Sequence, residues 1–221
     1  MIVEHEVVSD MVEPSQPGPS GSGFVQAGVW HSVPRRDVPT APAEALLLVD
    51  VQTAFLTGPD AVPDAPGLTA RLGALLERAR AAGAVVVHLR NDGETGAPDE
   101  PGKPGWQLRL PVRESARETV VSKESDDGFD GTALGALLDG HGVRSVVIAG
   151  VLSEMCVAAT TRGALDHGLR VVLPHDTHTT YGLDELPPAV VSKVAEHTLG
   201  PDPEFVASAA AVAFTAPGGG R

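Results

Sequence analysis

Asp50, Lys123 and Cys156 each follow an apolar run, in "LLLVDVQ", "TVVSKES" and "IAGVLSEMC". A thiol, a carboxylate and an ammonium suffice for acyl transfer. The sulfur attacks a carbonyl, the carboxylate takes the thiol proton, and the ammonium favours the anion. Each residue also has a plainer reading. An Asp after a buried strand caps a loop, a Lys at a strand end is solvated, and a lone Cys is a small buried hydrophobe. Ser153 reads as an N-cap, which puts Cys156 at the third helical position, near unpaired N–H groups and the positive end of the helix dipole. A helix N-terminus and a nearby Lys both lower a thiol pKa. Backbone N–H groups of "VLSEMC" are placed to stabilise an oxyanion. No histidine is needed as base.

The elements that must position these residues alternate along the chain from residue 44. "EALLLVDV" is a continuous apolar run, as in a strand buried on both faces. "GLTARLGALLERARAAG" carries Leu68, Leu72, Leu75, Leu76 and Ala79 at helical spacing, with Gly83 as a stop. "AVVVHL" and "ETVVSK" read as further strands, separated by a Gly/Pro-rich loop that runs from about Arg90 to Trp106. Then come a helix in "TALGALLDGHG", a strand in "SVVIAG", a helix in "EMCVAATTRGALDHG", a strand in "RVVLPHD", a helix in "DELPPAVVSKVAEHTLG" and a last strand within "EFVASAAAVAF". This predicts a three-layer α/β/α domain with a mainly parallel, Rossmann-like sheet of about six strands. Ligands bind such sheets beyond the carboxyl ends of the strands, where strand order switches. All three polar residues belong there. The expected organisation is an extension over 1–42 with a flexible Pro/Gly/Ser linker at 14–23, one catalytic domain over 43–215, and a disordered tail over 216–221.

The residues from about 44 to 200 resemble the isochorismatase-like cysteine hydrolases. The likeness rests on the D-x-Q of "ALLLVDVQTAF", on "VSKESDDGF", and on Gly150, Val151, Ser153, Cys156, Val157 and Thr160, which match G-V-x-T/S-x-x-C-V-x-x-T. The resemblance implies a catalytic triad of Asp50, Lys123 and Cys156. It implies a cis peptide between Val151 and Leu152 and an oxyanion hole built from the Leu152 and Cys156 N–H groups. Gln52, Phe55 and His178 are the expected substrate contacts. True isochorismatases cleave vinyl ethers and typically lack the cysteine, so Cys156 points to C–N hydrolysis through a thioester. Nicotinamidases of the family carry a D-x-H metal site that "HLRNDGETGAPDEPGKPGW" does not reproduce. No metal and no cofactor are expected, and His175 and His178 read as surface or substrate-facing groups before a loose metal site.

Composition narrows the partners. Net charge is −13, against a nucleic-acid partner. No apolar run approaches the ~20 residues of a membrane span. One cysteine makes no internal disulfide and suits a reducing cytoplasm. Acidic residues gather in two loops on the expected site side: Asp92, Glu94, Asp99 and Glu100, then Glu124, Asp126, Asp127 and Asp130. They either focus a cation or form a solvated rim. The expected activity is an amidohydrolase on a small, cationic molecule such as the lactam of a guanidinium-bearing antibiotic. The alternatives are a general small-amide or N-carbamoyl amidase and a non-catalytic binding protein. A homo-oligomer, dimer or tetramer, is expected.

Overall fold

The computed structural model describes residues 23–26, 29–32, 41–113 and 115–218. They fall into two compact units, Met1–Val33 and Pro34–Arg221. Residues 14–22 of the expected linker and 219–221 of the expected tail lie outside the described residues. In the first unit, β1 (Gly23–Gln26) and β2 (Val29–Ser32) pair antiparallel. This hairpin was not expected from the sequence, where no clear period marks it.

The second unit is built on β3 (Ala45–Val49), β4 (Val85–Asn91), β5 (Glu118–Lys123), β6 (Ser145–Val151), β7 (Arg170–Pro174), the short β8 (His178–Thr179) and β9 (Glu204–Val206). The strands lie in the order β5-β4-β3-β6-β7-β9, all parallel, and β8 extends the sheet by pairing with the end of β6. The chain builds one half of the sheet outward from β3 and the other outward from β6. Order therefore reverses between these two strands, and a crevice opens beyond their carboxyl ends.

Helices cover both faces, as expected. α1 (Thr53–Leu56) and α2 (Ala65–Ala81) precede β4; α3 (Leu134–Gly140), α4 (Ala158–Asp166) and α5 (Pro188–Thr198) follow β5, β6 and β8. Residues of β3 alternate between two cores. Leu46 and Leu48 pack with Leu68, Leu72, Leu75 and Leu76 of α2; Leu47 and Val49 pack with Leu134, Leu138 and Ala164 of α3 and α4. Each fully buried Leu contributes roughly 1.5–3 kcal/mol by leaving water. Two helices differ from expectation. α5 starts only at Pro188, because proline fits the first helical turn. The segment 153–157 is a π-type turn rather than the start of a regular helix.

Gly150 is required where β6 passes closest to β3. Its φ is +139°, and a Cβ there would sit 2.0 Å from the Val49 carbonyl oxygen.

At the opposite end of the sheet, the buried Glu118 carboxylate gathers three donors. These are the Arg80 guanidinium (2.9 Å from Nε), His88 Nε2 (3.1 Å) and the Arg113 N–H (2.8 Å). Burial would raise the Glu118 carboxyl, but these hydrogen bonds outweigh it and hold it at about 2. Burial lowers the His88 imidazole below its ordinary value. Both groups make the unfolded chain bind more protons than the folded one in acid. Stability from Glu118 is complete above the ordinary Glu value and is lost as pH falls toward 2. Stability from neutral His88 is lost as pH falls below the ordinary His value. Urea denaturation should therefore show lower stability at pH 3 than at pH 7. Glu118→Gln should shrink that difference by about 2 kcal/mol, because at pH 3 the folded-state carboxylate is still mostly ionised. An unchanged pH difference would show that Glu118 is not the coupled group.

Candidate active site

Three strand ends supply the site. Asp50 follows β3 in the left-handed region, at φ +50°, which Asp tolerates better than most residues. This interrupts the alternation along β3 and turns the carboxylate toward Lys123. Lys123 closes β5 and reaches across the end of β4. Its Nζ lies 3.0 Å from Asp50 Oδ2, 3.4 Å from Cys156 Sγ and 3.1 Å from the Ser125 carbonyl. The side chains of the Lys123–Asp50 pair are 0% and 2% exposed, and Cys156 is buried beside them. The structure thus brings the three expected residues into one cluster.

The nucleophile sits on an unusual turn. The Val151–Leu152 peptide is cis. Residues Ser153–Val157 form the π-type turn, interrupted at Met155 (φ −106°, ψ −107°), and α4 begins only at Ala158. Ser153 does not cap a helix. Its hydroxyl bonds His178 Nδ1 at 2.8 Å and Ser192 Oγ at 2.9 Å.

The electrostatics reverse one expectation. The Cys156 thiol is raised, not lowered. Burial is the main cause and the Asp50 charge the next, and together they outweigh the Lys123 ammonium. Burial also raises Asp50 against the pull of Lys123, which makes its carboxylate a better proton acceptor. Burial disfavours the Lys123 cation, but Asp50 and Cys156 together outweigh it and raise Lys123. The resting site is an Asp50–Lys123 ion pair beside a neutral thiol. Asp50 Oδ1 is buried with no hydrogen-bond partner and so has a lone pair free for a proton.

Asp126, expected only as one of the acidic residues on the site side, contacts the nucleophile directly: its Oδ1 accepts from Cys156 Sγ at 3.3 Å. The signal was present as a carboxylate three residues beyond Lys123. Its neighbour Asp127 does something else. It accepts from the Phe129 N–H at 2.9 Å and packs against Gly163, holding the loop to α4.

Two of the expected substrate contacts are held by protein partners. Gln52 is fully buried, and its amide is spent on backbone. Oε1 accepts from the Asn91 N–H at 2.8 Å, and Nε2 donates to the Asn91 and Trp106 carbonyls at 3.0 and 3.2 Å. It fixes the end of β4 and its loop. Asn91 in turn meets Lys123 Nζ through Oδ1 at 3.4 Å. His178 is buried as well, with Nε2 3.1 Å from Glu196 Oε1. His175 Nδ1 binds that same oxygen at 2.7 Å. Phe55 is partly buried against the α2-side core. Asp92, Glu94, Glu100 and Glu124 line one open cleft, whereas Asp99 turns inward to Asn91 at 2.7 Å. Among the described residues, no group of three or more His, Cys, Asp or Glu is placed to hold a metal ion.

The fold and these strand-end residues define a three-layer scaffold with a mainly parallel sheet and a buried thiol beside an ion pair at its strand ends. Residues 44–195 match the Isochorismatase domain, and the chain belongs to the isochorismatase family. A streptothricin hydrolase of Streptomyces noursei is 56% identical over 181 residues, spanning 79% of this chain and 66% of that protein. The fold is shared with an isochorismatase from Pseudomonas putida (TM-score 0.70, 26% identity, 78% of this chain and 93% of that one). It is shared too with the N-carbamoylsarcosine amidase of Thermoplasma acidophilum (TM-score 0.56, 29% identity, 61% and 82%).

The raised thiol gives an asymmetric prediction. Asp50→Asn removes the anion that opposes thiolate formation, so alkylation of Cys156 by iodoacetamide at pH 8 should speed up several-fold. Lys123→Ala removes the cation that favours thiolate and should slow it. Mass spectrometry of the labelled peptide reads both rates. The opposite order would mean that Asp50 already holds the thiol proton at rest.

Proposed function

We propose that the protein is a cysteine-dependent amidohydrolase that opens the lactam of streptothricin-type cationic antibiotics. The observation that carries the chemistry is the buried triangle of Asp50, Lys123 and Cys156 with one unpartnered carboxylate oxygen. Asp50 takes the thiol proton as Sγ attacks the lactam carbonyl carbon. The oxyanion lies against the Leu152 and Cys156 N–H groups. Asp50 then gives its proton to the lactam nitrogen as the C–N bond breaks, leaving a thioester on Cys156. Water attacks the thioester, Asp50 takes its proton, and the thiol is restored as the acid leaves. Lys123 keeps its charge throughout and holds Asp50 in place.

Support for the substrate comes from the streptothricin hydrolase relative and from charge. The chain carries −13 overall, and an exposed carboxylate, Asp126, touches the nucleophile. A cation next to the scissile bond answers that charge. The single cysteine suits a reducing cytoplasm, and we place the protein there as a homodimer or homotetramer that inactivates the antibiotic. No described helix is long and apolar enough to cross a membrane.

The test is turnover of streptothricin followed by mass spectrometry. Wild-type protein should add one water to the antibiotic. Cys156→Ala should be inert at unchanged Tm, and Cys156→Ser nearly so, because a hydroxyl is far harder to ionise. Prolonged chelation should leave the rate unchanged. Turnover of small neutral or carbamoyl amides with none of streptothricin would move the assignment to a general amidase. Full activity in Cys156→Ala would sink the covalent mechanism.

Salt separates capture from chemistry. The screening length falls from ~8 Å at physiological ionic strength to ~3 Å at 1 M. Hence kcat/KM for streptothricin should drop as salt rises while kcat stays nearly flat. Asp126→Asn should lower kcat/KM at low salt and flatten the remaining dependence. Rates with a neutral amide should ignore the salt. Capture of streptothricin that ignores salt would make the acidic loops a solvated rim.

A further inference from the structure

Behind the nucleophile turn lies a buried polar chain that the mechanism above does not use. Ser153 stands between Leu152 and Cys156, whose N–H groups face the oxyanion in that mechanism. Its hydroxyl bonds His178 Nδ1 at 2.8 Å and Ser192 Oγ at 2.9 Å. His178 Nε2 lies 3.1 Å from Glu196 Oε1. Ser153 is 2% exposed and His178 5%, and the polar atoms named here face protein groups. Two elements deliver the partners. β8 pairs with the end of β6, with His178 opposite Gly150. α5 presents Ser192 and Glu196 one turn apart, on one face.

With Ser192 donating to Ser153 and Ser153 donating to His178 Nδ1, the ring proton sits on His178 Nε2, which faces Glu196 Oε1 at 3.1 Å as a charge contact outside hydrogen-bond alignment. Glu196 accepts from His175. The residues have the composition of a hydrolytic Ser-His-Glu set. Ser153 and His178 are buried and the Glu196 side chain is 12% exposed, however, and α5, which carries Glu196, packs on the nucleophile turn.

We propose that Ser153, His178 and Glu196 form a positioning relay that holds the Leu152 and Cys156 N–H groups on the oxyanion. The relay rests on the cysteine-hydrolase reading. Its loss should hurt the step that builds negative charge on a carbonyl oxygen. It should leave the intrinsic reactivity of the thiol alone.

Two reagents separate these effects on the full-length protein. p-Nitrophenyl acetate acylates Cys156 through a tetrahedral oxyanion and releases p-nitrophenolate as Sγ–C forms. Iodoacetamide alkylates the same sulfur by displacing iodide, with no oxyanion. In Ser153→Ala, His178→Phe and Glu196→Gln, acylation should fall at least tenfold relative to alkylation. Loss of a whole oxyanion donor costs ~10²–10³-fold, and misplacing one costs less. Ser153→Thr keeps the hydroxyl and should return to within about threefold of wild type. Ser192→Ala trims only the outermost hydroxyl and serves if the other variants fail to fold; it should show the same selective loss, smaller in size. Equal loss of both rates, or no loss of either in a folded variant, overturns the relay. A wild-type protein that iodoacetamide labels but p-nitrophenyl acetate does not acylate overturns the hydrolase reading and the relay together. Normal wild-type acylation with unchanged variants overturns the relay alone.

Discussion

An ion pair with almost no exposed surface, Asp50 with Lys123, is the constraint around which this structure is arranged. Taking two charges out of water costs several kcal/mol per ion, and their mutual attraction recovers this only with close geometry and further hydrogen bonds. The surroundings supply them for the ammonium. Lys123 has Asp50, the Ser125 carbonyl, Asn91 and the Cys156 sulfur within 3.4 Å. The carboxylate is treated differently: one oxygen meets Lys123 and the other is left without a partner. Burial, which Lys123 only partly offsets, keeps Asp50 raised and therefore more basic. A site built only for stability would pair both oxygens.

The scaffold explains how charges from distant strands meet. β5 and β3 are separated by β4, so a lysine is needed to span the gap; a shorter cation would not reach Asp50. The end of β4 must then be held down, and Gln52 does this with three hydrogen bonds to backbone. On the other side, Gly150 lets β6 close on β3, which brings the nucleophile turn over the pair. The reversal of strand order between β3 and β6 leaves room for a ligand at the point where the thiol and the carboxylate converge.

Periodicity and strand-end position made much of this legible in the sequence. The continuous apolar runs of β3 and β6 and the helical spacing of Leu68, Leu72, Leu75 and Leu76 placed the layers correctly. The same runs pointed to Asp50, Lys123 and Cys156. What misled was the use of neighbours in sequence for questions that neighbours in space decide. Ser153 has the residue type of an N-cap, but its hydroxyl is claimed by His178 and Ser192, 25 and 39 residues away. The thiol was assigned a helix dipole, whereas burial and Asp50 dominate it. Gln52 and His178 look like polar groups beside a site, and their partners Asn91, Trp106, Ser153 and Glu196 lie 39, 54, 25 and 18 residues away, out of reach of sequence reading. Asp126 and Asp127 are the same residue type in adjacent positions, and only the fold sends one to the sulfur and the other to the Phe129 N–H.

A carboxylate in contact with a nucleophilic thiol is at first sight a fault, since Asp126 adds to the charges that keep Cys156 protonated. The fault disappears when the ligand is itself a cation. A guanidinium or ammonium group settling beside Asp126 cancels an anion a few ångströms from sulfur. The field at the thiol then shifts toward the thiolate at the moment the carbonyl arrives. In the free protein the thiol stays neutral, which protects it from oxidation, because the thiolate is the reactive form. A neutral amide would bind without this gain and would meet the thiol still protonated. On that account the exposed acid at the mouth and the raised thiol beneath it act together, and charge on the substrate bears on both its capture and its attack.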